Sequence, residues 1–159
     1  MTRIQLDEGA LRQWGQVLGA AAARNSVFVA LFGALGSGKT TLVQAACEGA
    51  GVSMDVTSPT YTLVHWYYGK HGPIAHADLY RINSTAELFL LDWDELESGR
   101  ATVFVEWADR ASDELPPDRW ELWFEVVLGG KTRVVEAKSL GAAPPIPAPE
   151  AYARTRRSS

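Results

Sequence analysis

The densest chemistry in the chain sits in eight consecutive residues, Gly33-Ala34-Leu35-Gly36-Ser37-Gly38-Lys39-Thr40. They satisfy the pattern G-x-x-x-x-G-K-[ST] at every position. Each residue type has a task in holding a polyphosphate. The glycines let the backbone fold tightly, so that its N–H groups point inward at an anion. Lys39 brings an ammonium to the β- and γ-phosphates, where it also serves catalysis. The Thr40 hydroxyl is a hard oxygen ligand for Mg²⁺. A helix starting near Gly38 adds free N–H groups and the positive end of its dipole. The expected phosphate-loop contacts are therefore Gly33, Leu35, Gly36, Ser37, Gly38, Lys39, Thr40 and the adjoining Thr41.

Such a site needs an acid at the end of a neighbouring buried strand. Two carboxylates fit. The run Ile74-Ala75-His76-Ala77 ends at Asp78, and Val103-Phe104-Val105 ends at Glu106. Spacing alone leaves open which acid holds the metal and which positions water. Trp107 follows Glu106, and strand alternation turns it away from the acid, toward packing or a cover for the nucleotide. Arg81 can act as an arginine finger in cis or sit in a surface ion pair. His65, His71 and His76 lack the spacing of a metal cluster; His76 reads as a packed or near-site residue, and Cys47 as a small core residue. Asp92, Asp94, Glu95 and Glu97 read as a solvated face, with Trp93 a possible anchor for a partner.

The elements that must position these groups follow from periodicity. Leu11, Trp14, Leu18 and Ala22 share one face of a helix from Asp7 to about Ala23. The apolar run of residues 27–32 predicts a buried central strand. Lys39 to Glu48 predicts the helix after the loop, closed by Gly49 and Gly51. Strands are expected over Thr60–Tyr68 and Pro73–Leu79, joined by a turn at residues 69–72. A short helix over Ser84–Leu91 carries a capping pair, Ser84 and Glu87. A second helical piece, Asp92–Ser98, precedes a strand over Ala101–Trp107. Arg119–Leu128 and Thr132–Ala137 form a last hairpin. This predicts an α/β fold, a single P-loop NTPase-like domain over residues 1–140, with a central mixed sheet flanked by helices and a C-terminal β-hairpin. Residues 141–159, rich in Pro and Ala and ending Arg154-Thr155-Arg156-Arg157-Ser158-Ser159, read as a disordered tail.

Bulk composition narrows the class. A length of 159 residues, 47% hydrophobic, suits one domain with one sizeable core. No run approaches the roughly 18 apolar residues of a spanning helix, so no membrane partner is expected. The opening residues Met1–Glu8 are polar and lack the pattern of a secretory signal, and a single cysteine excludes an internal disulfide, which together point to the cytoplasm. A net charge of −4 argues against a broad nucleic-acid-binding face.

Four motifs in order carry a family resemblance: the phosphate loop, Ser58-Pro59-Thr60-Tyr61-Thr62-Leu63, His76-Ala77-Asp78-Leu79-Tyr80-Arg81, and Val105-Glu106-Trp107. Over residues 6 to 135 the chain resembles the TsaE (YjeE) family of bacterial P-loop ATPases. That family serves the threonylcarbamoyladenosine (t6A) modification of tRNA. The resemblance implies ATP as substrate, Mg²⁺ held by Thr40 and Glu106, and Asp78 as the acid near the γ-phosphate. It implies Ser58, Pro59 and Thr60 as the segment facing that phosphate, Leu6–Ala10 beside the adenine, and Arg133 as a basic residue near the nucleotide. Ala108 stands where the family usually has Pro. TsaB and TsaD are the implied partners, with tRNA met only through their complex. Two other classes fit the residues: a nucleotide-binding regulatory module with negligible hydrolysis, and a small-molecule kinase.

Overall fold

The computed structural model describes residues 2–57, 63–127 and 129–153. Strand β1 (Thr2–Asp7) leads into helix α1 (Glu8–Arg24), then β2 (Phe28–Phe32) and α2 (Lys39–Gly49). Strands β3 (Val64–Gly69) and β4 (Gly72–Asp78) follow, then a 3₁₀ segment (Thr85–Leu91) and the short helix α3 (Trp93–Glu97). After β5 (Thr102–Glu106) come a 3₁₀ segment (Ala108–Glu114), β6 (Arg119–Val126), β7 (Thr132–Leu140) and a last 3₁₀ turn (Pro149–Tyr152).

Among the described residues seven strands make one sheet, in the order β1-β7-β6-β2-β5-β4-β3. The middle strands β6, β2, β5 and β4 are parallel, and β3, β7 and β1 join antiparallel at the edges. A strand covered on both faces needs apolar residues at every position, and all five residues of β2 are buried. Val29 and Leu31 enter the core shared with α1 and α2. Phe28, Ala30 and Phe32 enter a second core with Leu79, Leu88, Trp93 and Leu96.

Helix α1 starts where Asp7 Oδ1 accepts the Ala10 N–H at 2.7 Å, a capping bond for a free first-turn donor. Leu11, Trp14, Leu18 and Ala22 are buried as the periodicity requires. The crossing of α1 on α2 is close enough that a Cβ on Gly19 would lie 1.9 Å from the Ala46 carbonyl oxygen. Parallel pairing then aligns strand ends: Leu31 lies opposite Glu106, and Glu106 opposite Asp78. The phosphate loop leaves β2 at that same end, where parallel α/β sheets present their ligand crevice.

Several expectations are corrected. Residues Thr2–Asp7, to which periodicity gave no element before the helix, form an edge strand: β1 pairs with β7, Leu6 opposite Arg133, and the alternation of Ile4 and Leu6 supplies its apolar face. Ser84 makes no capping bond; Glu87 Oε2 instead accepts from the Asn83 N–H at 3.3 Å. Trp93, read as a possible anchor for a partner, is buried, its indole donating to the Glu114 carbonyl at 3.1 Å. The strand expected from Thr60 begins at Val64, and residues 60–62 lie outside the described residues.

The expected disordered tail is ordered over residues 141–153. Trp14 Nε1 donates to the Pro147 carbonyl at 2.8 Å and Trp120 Nε1 to the Pro144 carbonyl at 2.7 Å. Ile146 and Tyr152 pack against the α1–α2 core. Two buried indoles need acceptors, and a proline-rich segment supplies carbonyls at low entropic cost. Residues 154–159, with Arg154, Arg156 and Arg157, lie outside the described residues. A chain ending at Leu140 is expected to lose about 2–4 kcal/mol of stability, from two hydrogen bonds of about 1 kcal/mol each plus exposed apolar surface. Urea unfolding of the shortened and full chains measures this; equal midpoints would show the segment to be passive.

Candidate functional site

The loop between β2 and α2 is shaped by backbone that side chains resist. Gly38, the residue before α2, has φ +108°, a conformation that glycine adopts without strain. A Cβ there would also meet Leu11 Cδ2 at 3.1 Å. No side chain caps the N-terminus of α2, so its first N–H groups can serve an anion.

One cleft of about 190 Å³ gathers Leu35, Gly36, Ser37, Gly38, Lys39, Thr40, Thr41, Asp78, Glu106 and Arg133, with Trp107 beside them. Gly33 does not line it, but its carbonyl accepts from Lys39. The Lys39 ammonium donates to the Gly33 carbonyl, and to the Ala34 carbonyl at 3.1 Å. It also lies 4.0 Å from the centre of the Trp107 ring, a cation–π contact. Burial pushes the ammonium below the usual lysine range, and Glu106, Asp78 and Asp109 oppose that.

The acids complete the cleft. Thr40 Oγ1 donates to Glu106 Oε1 at 2.8 Å, across 66 residues of sequence. Glu106 is 2% exposed. Asp78 Oδ1 accepts the Tyr80 N–H at 2.9 Å. Burial raises the Asp78 carboxyl above the usual carboxylate range, and Glu106 adds to this, while the Tyr80 N–H, His76 and Lys39 pull it down.

Arg133 lines this cleft and a larger cavity of about 380 Å³ next to it, and its guanidinium donates to the Gly130 carbonyl at 2.8 Å. The two cavities also share Gly38 and Thr41, so they adjoin, and the larger one reaches α1. Within Leu6–Ala10 only Glu8 lines it; Leu6 and Ala10 are buried, and Leu11 and Lys131 supply further walls. Lys131 was not legible as a site residue, since a lysine after a Gly-Gly turn is ordinary.

Trp107 departs from the expected alternation. Its φ of +57° ends β5 in a left-handed turn, a costly conformation for an aromatic residue. That turn swings the indole back over Lys39 and within 4.8 Å of the Tyr80 ring. Arg81 is exposed and does not line the cleft. Ser58, Pro59 and Thr60 lie outside the described residues. Cys47 is buried in α2 with its thiol pushed up to about 12 by burial, as a core residue.

His76 stands two residues before Asp78, and the sequence shows no task for it. The structure puts its Nε2 2.5 Å from Glu106 Oε2.

Among the described residues no three His, Cys, Asp or Glu side chains form a metal cage. The donor set still suits Mg²⁺. A threonine hydroxyl and carboxylates are hard oxygens, and Mg²⁺ usually takes one or two carboxylates and fills its shell with water and phosphate. The buried Ser37 hydroxyl, within the loop, has no partner in the described chain.

The family model described as threonylcarbamoyl adenosine biosynthesis protein TsaE matches residues 6–135. A tRNA threonylcarbamoyladenosine biosynthesis protein TsaE of Treponema pallidum is 34% identical over 125 residues, covering 79% of this chain and 91% of that one. The protein of the same name from Nostoc is 37% identical over 114 residues, covering 69% and 70%. The crystal structure of YdiB from Bacillus subtilis superposes with a TM-score of 0.63 at 26% identity, covering 88% of this chain and 87% of that one. A matched family model spanning most of the fold, on a chain whose phosphate loop faces two strand-end acids, makes this protein a member of the TsaE family.

Proposed function

We propose that this chain is the ATP-binding and ATP-hydrolysing subunit, dependent on Mg²⁺, required for the t6A modification of tRNA at adenosine 37. It acts in the cytoplasm with TsaB and TsaD and meets tRNA through that assembly. The observation that supports hydrolysis is the Thr40–Glu106 hydrogen bond at 2.8 Å, with Asp78 at the neighbouring register position beside the same loop. The relatives' names support the pathway. The net charge of −4 supports a route to tRNA through partners rather than a face of its own.

In this reading the loop N–H groups and Lys39 hold the β- and γ-phosphates. Thr40 and Glu106 hold Mg²⁺, which when bound neutralises phosphate charge. Asp78, its carboxyl raised by burial, orients the attacking water or steadies the water shell of the metal. Arg133 and Lys131 line the larger cavity toward α1 and favour an anionic ligand. No helix among the described residues is long and apolar enough to cross a membrane.

The test is a reconstituted modification reaction with TsaB, TsaD, tRNA and a threonylcarbamoyl donor. Modified tRNA is expected to require this chain and ATP, and the ATPase rate to rise when both partners are added. Modification that proceeds without the chain removes the reading. A rate that stays at background with partners present leaves a regulatory nucleotide-binding module.

A further inference from the structure

We propose that His76 is a positioning residue for Glu106, holding one carboxylate oxygen so that the other faces Thr40, the orientation from which Glu106 would ligate Mg²⁺. The inference rests on the assignment of Glu106 as a metal-holding acid. His76 is 0% exposed on β4, two residues before Asp78 and therefore on the same face of the strand. In the parallel register it lies opposite Phe104, one step diagonal from Glu106. From there Nε2 sits 2.5 Å from Glu106 Oε2, while Oε1 accepts the Thr40 hydroxyl at 2.8 Å. The two oxygens thus have different partners, and the carboxylate has one orientation.

Packing alone does not account for this ring. The buried Nδ1 has no partner in the described chain. An apolar side chain of similar size would fill the volume without leaving a polar atom unmet. The imidazole therefore carries a polar cost whose return is the bond to Glu106. Carboxylates that hold metals are themselves held by hydrogen bonds, and losing such a partner typically weakens metal binding about 10–100-fold. The motif His76-Ala77-Asp78 then places two site groups on one strand, one acting on the acid of β5 and one facing the cleft.

The experiment compares His76→Phe, His76→Gln and Glu106→Gln with the unaltered chain. Nucleotide affinity is titrated by calorimetry in EDTA and across a Mg²⁺ series. His76→Phe is expected to raise the Mg²⁺ concentration needed for half-maximal tightening by about 10–100-fold, with affinity in EDTA unchanged. His76→Gln, which keeps a donor near the Nε2 position, is expected to recover part of the loss. In the unaltered chain, the imidazole ¹⁵N resonances of His76 are expected to move when Mg²⁺ is added to the nucleotide complex. This last reading does not depend on any variant folding. If Glu106→Gln raises the Mg²⁺ requirement and His76→Phe does not, or if the resonances stay fixed, the inference is overturned. If Glu106→Gln itself leaves the requirement unchanged, the metal assignment fails and the inference with it.

Discussion

Lys39→Ala is expected to weaken ATP binding at least about a hundredfold. Each hydrogen bond from an ammonium to a charged oxygen is worth about 1.5–3 kcal/mol, so two phosphate contacts amount to about 3 kcal/mol or more, a factor above about 100 in Kd. The fold should tolerate the change. The ammonium is buried against the Gly33 and Ala34 carbonyls and the Trp107 ring, but the same burial holds it below the ordinary lysine range. Desolvation and local bonds therefore oppose one another, and the thermal midpoint should move little. Titration calorimetry and thermal unfolding on the same sample separate the two effects. Unchanged affinity would remove the phosphate-binding role of the loop, and collapse of the fold would recast Lys39 as a structural residue.

Asp78→Asn is expected to leave binding within about threefold and to lower the hydrolysis rate about 10²–10⁴-fold, the usual weight of a positioned acid–base group. The turn after β4 should survive, because asparagine keeps a side-chain carbonyl to accept the Tyr80 N–H now bonded at 2.9 Å. What is lost is the charge and basicity of a carboxyl that burial, with Glu106, holds above the usual carboxylate range. The rate is measured with TsaB and TsaD present, where turnover is expected to be fastest. A variant that hydrolyses ATP at the normal rate would move the water-positioning role away from Asp78.

The phosphate loop was legible because its signal is contiguous. Eight neighbouring residues, an apolar strand before them and an amphipathic helix after them state their own geometry. The core face of α1 was legible for a similar reason, since a period near 3.6 survives in any context that buries one side. Asp78 and Glu106 were legible as strand-end acids, but their placement in one cleft depended on the parallel register of β4 and β5.

What escaped the sequence was set by contacts between distant segments. β1 exists because β7 offers it an edge, about 130 residues away, and a six-residue strand with only Ile4 and Leu6 as apolar positions has little local signal. Residues 141–153 are ordered by Trp14 and Trp120, whose indoles seek carbonyl acceptors that composition does not reveal. Trp107 faces Lys39 because a left-handed turn breaks the alternation on which a strand argument relies. His76 meets Glu106 only once β4 lies beside β5. Local spacing in this chain marked the phosphate loop and two strand-end acids as candidates for holding phosphate and metal. Sheet register and burial decided which oxygen of Glu106 meets which partner, because that depends on long-range pairing that no window of sequence contains.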